Sequence, residues 1–199
     1  MGFRYEASPA VGPVKQGEIL GPIWEHRPGI PPTEHPADLE VSITSFLHAL
    51  VIVMTPDCDL VWDFNERFPD DDSKNALTPQ AADADSKAKA VPHVLVCDVY
   101  DEAHVKQHVP ETKAWKIVIR NDNARYHVFD TAGIGDEGPD DAMPQIFFDF
   151  KKPIAVPTAQ LYEGLRVGGV RRVARVPAPW RHDVIHRFYG FQSRVSLPT

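Results

Sequence analysis

Three consecutive residues, Asp57-Cys58-Asp59 in the stretch "VIVMTPDCDL", hold the most concentrated reactive chemistry in the chain. A cysteine attacks only as its thiolate, and a thiolate is favoured by positive neighbours. Two flanking carboxylates work against it. Thr55 adds a hydroxyl just upstream, and the imidazoles of His48 and His127 sit beside strands as acid–base partners for the thiol. The catalytic candidates are therefore Thr55, Asp57, Cys58, Asp59 and His127. If the strand through Thr55 continues past Pro56, its period of two places Ile52, Met54, Cys58 and Leu60 on one face. Val53, Thr55, Asp57 and Asp59 fall on the other. The expectation is a sulfur that points inward as a small core group, with the aspartates setting geometry.

Other clusters suggest other chemistry. Asp57 and Asp59, joined by Asp149 from a second strand, are the candidate ligands for a hard cation, because Mg²⁺ often takes one or two carboxylates plus water. Their spacing supplies no further ligand, so neither a metal nor another cofactor is expected. His182 and His186 lie four apart, on one helical face, but Asp183 stands where H-E-x-x-H needs glutamate. "DVYDEAH", Asp98 to His104, spells a helicase-type magnesium box, yet no G-x-x-x-x-G-K-[ST] accompanies it, which excludes a P-loop enzyme. The arginines carry a broader signal. Arg171, Arg172, Arg175, Arg181 and Arg187 concentrate in the last third, while acid dominates residues 57–85. That asymmetry gives a dipolar molecule, and these five form the candidate contact set for a protein, RNA or DNA partner.

The bulk properties bound these readings. A length of 199 residues suits one domain, and 43% hydrophobic residues are enough for a core. The formal net charge of −7 excludes a general attraction to nucleic acid or anionic membrane, so any such contact must be local. Two cysteines are too few for a disulfide scaffold and suit a reducing compartment. The first residues lack the basic head and apolar run of a signal peptide. The longest apolar run, "FLHALVIVM", falls short of the ~20 residues needed to span a bilayer. The chain is expected to be cytoplasmic and free of membranes, with self-association left open.

The elements that would position these residues are short, because 19 prolines favour turns and brief strands. "QGEILGPI" predicts a first strand, and "EHRPGIPPTEHPADLE" a proline-rich loop. Val51–Thr55 predicts a strand buried on both faces. Residues 63–92 are polar, acidic and without apolar periodicity, which predicts a mobile insertion. "HVLVCDVYD" and "QIFFDF" read as strands, "DEAHVKQHVPET" as a short helix or irregular crossing, and "WKIVIRNDNARYHVFD" as a hairpin turning at "NDNA". "AQLYEGL" reads as a helix capped by Thr158, and "VRRVARV" as a last strand. Val184, Phe188, Phe191 and Val195 follow helical spacing within a closing helix over 178–196. The sum is one β-rich domain over 1–199, a small bent antiparallel sheet or SH3-like barrel closed by a C-terminal helix.

Two resemblances extend this. "QGEILGPI", the proline-rich loop and "HALVIVMTPDCDL" resemble the opening of MazF/PemK-type toxins, over residues 16–60. That likeness implies an SH3-like barrel and metal-independent RNA cleavage, with Thr55 at the family's hydroxyl position; Asp57 and Asp59 depart from its pattern. "TPDCDLV", "RNDNARYHVFD", "FFDFKKPIAVPTAQLYEG" and "RRVARVPAPWRHDVIHRFYGFQSRVSLP" resemble an uncharacterised family of bacterial proteins. Its signature is "SQ-x-CD" followed by an "R-x-A-R…P-Y…F…RV-x-LP" tail, and Thr55-Pro56 stands here in place of serine-glutamine. This second likeness implies a shared fold and bacterial origin. The leading functional expectation is a non-catalytic accessory or binding module of a stress or defence system. The alternatives are a MazF/PemK-like endoribonuclease and a Cys58-dependent hydrolase.

Overall fold

Apolar side chains at every position of Val51-Ile52-Val53 leave a strand no face to give to water, and this strand lies near the middle of the sheet. The computed structural model describes residues 3–29, 42–79, 89–135 and 142–194. Its main sheet is antiparallel and curls into a half-barrel, in the order β10-β1-β4-β5-β9-β6. The strands are β1 (Glu18–Gly21), β4 (Val51–Val53), β5 (His93–Tyr100), β6 (Tyr126–Phe129), β9 (Ile146–Pro157) and β10 (Arg171–Arg175). A separate ribbon pairs β2 (Ile23–Gly29) with β3 (Ser42–His48), and β7 (Ala132–Gly133) pairs with β8 (Ala142–Met143).

Strand alternation splits the core in two. Leu20, Val51, Val53, Val94 and Val96 face one cluster, completed by α1 (Asp57–Arg67) and α5 (Thr158–Arg166) through Leu60, Phe64, Leu161 and Tyr162. Ile19, Ile52, Met54 and Cys97 face the other, closed by Val184 and Phe188 of α6 (Trp180–Gln192). The terminal helix expected over 178–196 is present as α6 but is shorter, running from Trp180 to Gln192, and the last two residues of the expected range lie outside the described residues. A third cluster packs Val105 of α3 (Glu102–His108) and Val118 of α4 (Thr112–Ile119) on Phe147.

Several sequence expectations are corrected. The strand does not run past Pro56; α1 begins at Asp57 directly after it. Proline's fixed φ suits a helix entrance, and carboxylates in the first turn complement the helix dipole. The spacing Leu60, Phe64, Phe68 is helical, and all three are buried. The insertion over 63–92 is consequently helical at its start. It holds the end of α1 and then α2 (Asp71–Ala76), whose capping box joins Asp70 and Ser73. Residues 80–88 lie outside the described residues. The expected strand "WKIVI" is α4, because Trp115 and Val118, three apart, pack inward while Ile117 and Ile119 face solvent. The turn after it does hold a left-handed asparagine, Asn121 at φ 58, whose amide brackets the backbone of Val128. Part of the proline-rich loop, Glu25–Gly29, is strand β2; residues 30–41 lie outside the described residues. Thr158 is the first residue of α5, not its cap, and its hydroxyl donates to the Val91 carbonyl.

Gly21 joins the main sheet to the ribbon. A Cβ there would stand 2.1 Å from the Ala49 carbonyl oxygen, a backbone atom that has nowhere to go. Gly21→Ala is expected to lose about 1–3 kcal/mol through overpacking, seen as a thermal midpoint lower by about 2–4 °C for each of those. An unchanged midpoint would show that the ribbon base adjusts freely.

Candidate functional site

The residues singled out by type and spacing do not converge. Cys58 is exposed on the first turn of α1, and its sulfur approaches Asp59 Oδ1 at 3.5 Å. The inward orientation expected of it is wrong, for the strand period ends at Pro56. Asp57 is a structural acceptor, taking the Gln16 N–H at 2.7 Å and an Arg175 N–H at 3.0 Å. Thr55 is buried, and its hydroxyl accepts the Leu95 N–H at 2.7 Å, clamping β4 to β5. Asp149 is buried against Arg125 in a two-pronged pair at 2.8 and 2.5 Å. Among the described residues no three His, Cys, Asp or Glu side chains are grouped to hold a metal ion.

His127 lies in the core beside Phe129, Phe148 and Phe150. Its Nδ1 meets Arg187 Nη1 at 2.5 Å, and its Nε2 is buried without a partner among the described residues. Arginine only donates, so Nδ1 accepts and the ring is neutral. Burial first, and then the Arg187 charge, push its pKa down to about 3.

The C-terminal arginines are largely consumed inside the fold. Arg172 forms a buried pair with Glu18 and donates to the Gly12 carbonyl. Arg175 binds Asp57 and the Gln16 carbonyl. Arg187 donates to Asn123 and Tyr126 carbonyls, and the Arg181 stem packs on Gly17. Arg171 remains exposed at the sheet edge.

A different group of residues does converge. The ribbon folds over β5 and β9 and encloses a pocket of about 480 Å³, lined by Arg27, Phe46, His48, Asp98, Tyr100, Lys151 and Lys152 among others. Strand period explains the ribbon's share. Register pairs Ile23 with His48 and Glu25 with Phe46, so Glu25, Arg27, Phe46 and His48 occupy one face. The sheet's share comes from an irregularity. Cys97 pairs with Pro153 but Val99 pairs with Phe148, so Asp98 alone opposes residues 149–152. Such a bulge re-aims side chains, and it places Lys151 and Lys152 at the surface while Asp149 turns in to Arg125.

His48 ties the two parts together. Its Nδ1 lies 2.9 Å from Asp98 Oδ2 and its Nε2 lies 3.1 Å from Glu25 Oε2. Glu25 is also gripped by Arg27, with Nε and Nη2 at 2.7 and 2.8 Å from its two oxygens. The Arg27 hydrogen bonds chiefly hold the Glu25 carboxyl below its usual range; His48 adds to this and partial burial opposes it. Tyr100 is raised above its usual value by burial and then by Asp98. Lys152 sits 5.5 Å from the Tyr100 ring centre, and the Lys151 ammonium has no partner among the described residues. Tyr100 stacks on His104 at 4.0 Å, and the His108 ring lies tilted 5.1 Å beyond His104.

His48 and the Asp98–His104 segment stood out in the sequence, but for other reasons, and Glu25, Arg27, Lys151 and Lys152 did not. One local signal existed: "KK" interrupts the apolar run "FFDFKKPIAV", as a bulge does. No helix of the described residues is long and apolar enough to cross a membrane. Comparison with protein-family models, with curated proteins and with solved structures gave no match.

Proposed function

We propose that this chain is a binding module that holds a single RNA or DNA strand at the pocket between the ribbon and the β5–β9 sheet. The observation that carries the proposal is the pair Lys151 and Lys152, exposed on the β9 bulge and free of any carboxylate among the described residues. One unpaired surface lysine is ordinary. Two, thrown out beside Arg27 over a polar pocket, make a local positive site on a chain of net charge −7. The pocket's own rings, Phe46 under Arg27 and Tyr100 under Lys152, favour a nucleic-acid strand over an acidic peptide, because cations interleaved with aromatic faces suit phosphates and bases together.

Binding is the resting role that fits His48, since carboxylates occupy both of its nitrogens, and the cleavage assay below tests whether Nε2 does chemistry once a strand is bound. The contact surface moves from the C-terminal arginines to β9, because Arg172, Arg175 and Arg187 already serve backbone carbonyls and carboxylates. Kinship with MazF/PemK toxins, an SH3-like origin of the curled sheet and a bacterial stress or defence setting belong to the same proposal. The chain order β1, ribbon, β4 supports them, as it follows the strand–loop–strand opening of those toxins.

The test is fluorescence anisotropy with a labelled single-stranded RNA, with a labelled acidic peptide as rival. Lys151→Glu/Lys152→Glu is expected to weaken RNA binding by tenfold or more, as each charge-assisted contact is worth about 1.5–3 kcal/mol. Added salt should weaken the wild type more steeply than the variant. Equal RNA binding by both would remove this pocket from the interface. Tight retention of the peptide instead would replace the strand by a protein partner, and RNA cleavage in EDTA would turn the module into a nuclease.

A further inference from the structure

A carboxylate already occupies the guanidinium fork that Arg27 brings to the pocket, and it belongs to the chain itself. Glu25 receives both prongs of the Arg27 guanidinium and faces the Nε2 of His48. An arginine fork, an imidazole and two nearby ammonium groups are the donor set expected around a bound oxyanion. Glu25 uses the fork and the imidazole and leaves both lysines without an acceptor.

We infer that Glu25 is an internal stand-in for the ligand, and that the pocket is built to receive a terminal phosphate monoester which displaces it. This rests on the proposal that the pocket binds a nucleic-acid strand, and it narrows that strand to one ending in a phosphate. A monoester carries about −1.5 to −2 charges and three acceptor oxygens, against one charge on a carboxylate. It outbids Glu25 because it satisfies Lys151 and Lys152 as well as Arg27. An internal phosphodiester carries a single charge and lacks that advantage. Displacement needs only a side-chain rotation, since Glu25 is partly exposed and is bonded to the pocket residues Arg27 and His48 without itself lining the pocket. Asp98 keeps its own bond to His48 Nδ1, so the imidazole stays in place when Glu25 leaves. Glu25 therefore sets a threshold: weakly charged groups do not open the fork, and doubly charged ones do.

The experiment compares matched RNA oligonucleotides bearing a 5′-phosphate or a 5′-hydroxyl, with inorganic phosphate as competitor. Wild-type protein is expected to prefer the 5′-phosphate strand by tenfold or more. Glu25→Gln should tighten binding of both strands and shrink the preference severalfold, because the fork is then open to any anion. Glu25→Ala, a second vacancy with a different shape, should behave alike. Arg27→Lys keeps the charge but loses the fork, and should abolish the preference without abolishing binding. A wild type that binds both strands equally overturns the inference and leaves the binding proposal standing. Glu25 variants that bind no better than wild type overturn it as well. Failure of every variant to bind any strand overturns both. A phosphoserine peptide that competes better than the 5′-phosphate strand would reassign the monoester to a protein and overturn the choice of nucleic acid.

Discussion

Replacing Asp63 by alanine is expected to destabilise the protein by about 3–5 kcal/mol, the cost of removing one member of a buried ion pair. Asp63 and Arg67 lie one turn apart on α1 with side chains 0% and 1% exposed, and the guanidinium Nε reaches both carboxylate oxygens at 2.8 and 2.9 Å. The pair does more than hold itself. Asp63 accepts the Val91 N–H at 2.8 Å, and Arg67 donates to the Val91 carbonyl at 3.2 Å. Thr158 reaches the same carbonyl. Loss of the carboxylate thus removes the acceptor of the Arg67 Nε–H and of the Val91 N–H together. Urea unfolding followed by circular dichroism measures it. The double change Asp63→Leu/Arg67→Met should recover much of the loss, since apolar replacement of a buried pair is often neutral or better. A single-variant loss below about 1 kcal/mol would mean that water reaches the site.

Acid should destabilise the protein through His127 before its carboxylates titrate. In the unfolded chain this imidazole takes a proton near pH 6.5; in the fold, burial and Arg187 hold it neutral down to about 3. Between those values the unfolded state binds the extra proton. The sign follows: this contribution is complete above pH 6.5 and is lost as pH falls toward 3. At about 1.36 kcal/mol per pH unit, lowering pH from 7 to 4 should remove about 3 kcal/mol. His127→Gln retains an acceptor for Arg187 and cannot titrate. Unfolding free energies at pH 7 and pH 4 are to be compared in both proteins, because subtraction cancels the other groups. Parallel pH dependences would place a solvated, freely titrating imidazole at this position.

Much of the framework is legible in the sequence, and the site hardly at all. β4, β5 and α6 follow from apolar periodicity within a few residues, and Asn121 from its tolerance of left-handed backbone. The helix at Asp57 was obscured because Pro56 and two aspartates mimic a strand end, although Leu60, Phe64 and Phe68 keep helical spacing. α4 was obscured because "WKIVI" fits both periods, and only contact with Phe147 decides between them. The pocket needs two non-local facts: that β2 and β3 pair, and that β9 bulges opposite Asp98. Neither is a property of neighbouring residues. The arginine cluster misled for the same reason, since Glu18 and Asp57, its partners, lie far away in the chain.

The Val91 clamp has a practical consequence. Phe68 is buried and hydrogen-bonded at the end of α1, while Val91 is held by three side chains, so the polypeptide between them is moored independently at each end. Changes of length there should stop at the moorings instead of reaching the half-barrel. An epitope or a fluorescent reporter spliced in after Leu77, which is itself packed in the core, and before Val91 is therefore expected to leave the stability of the half-barrel unchanged.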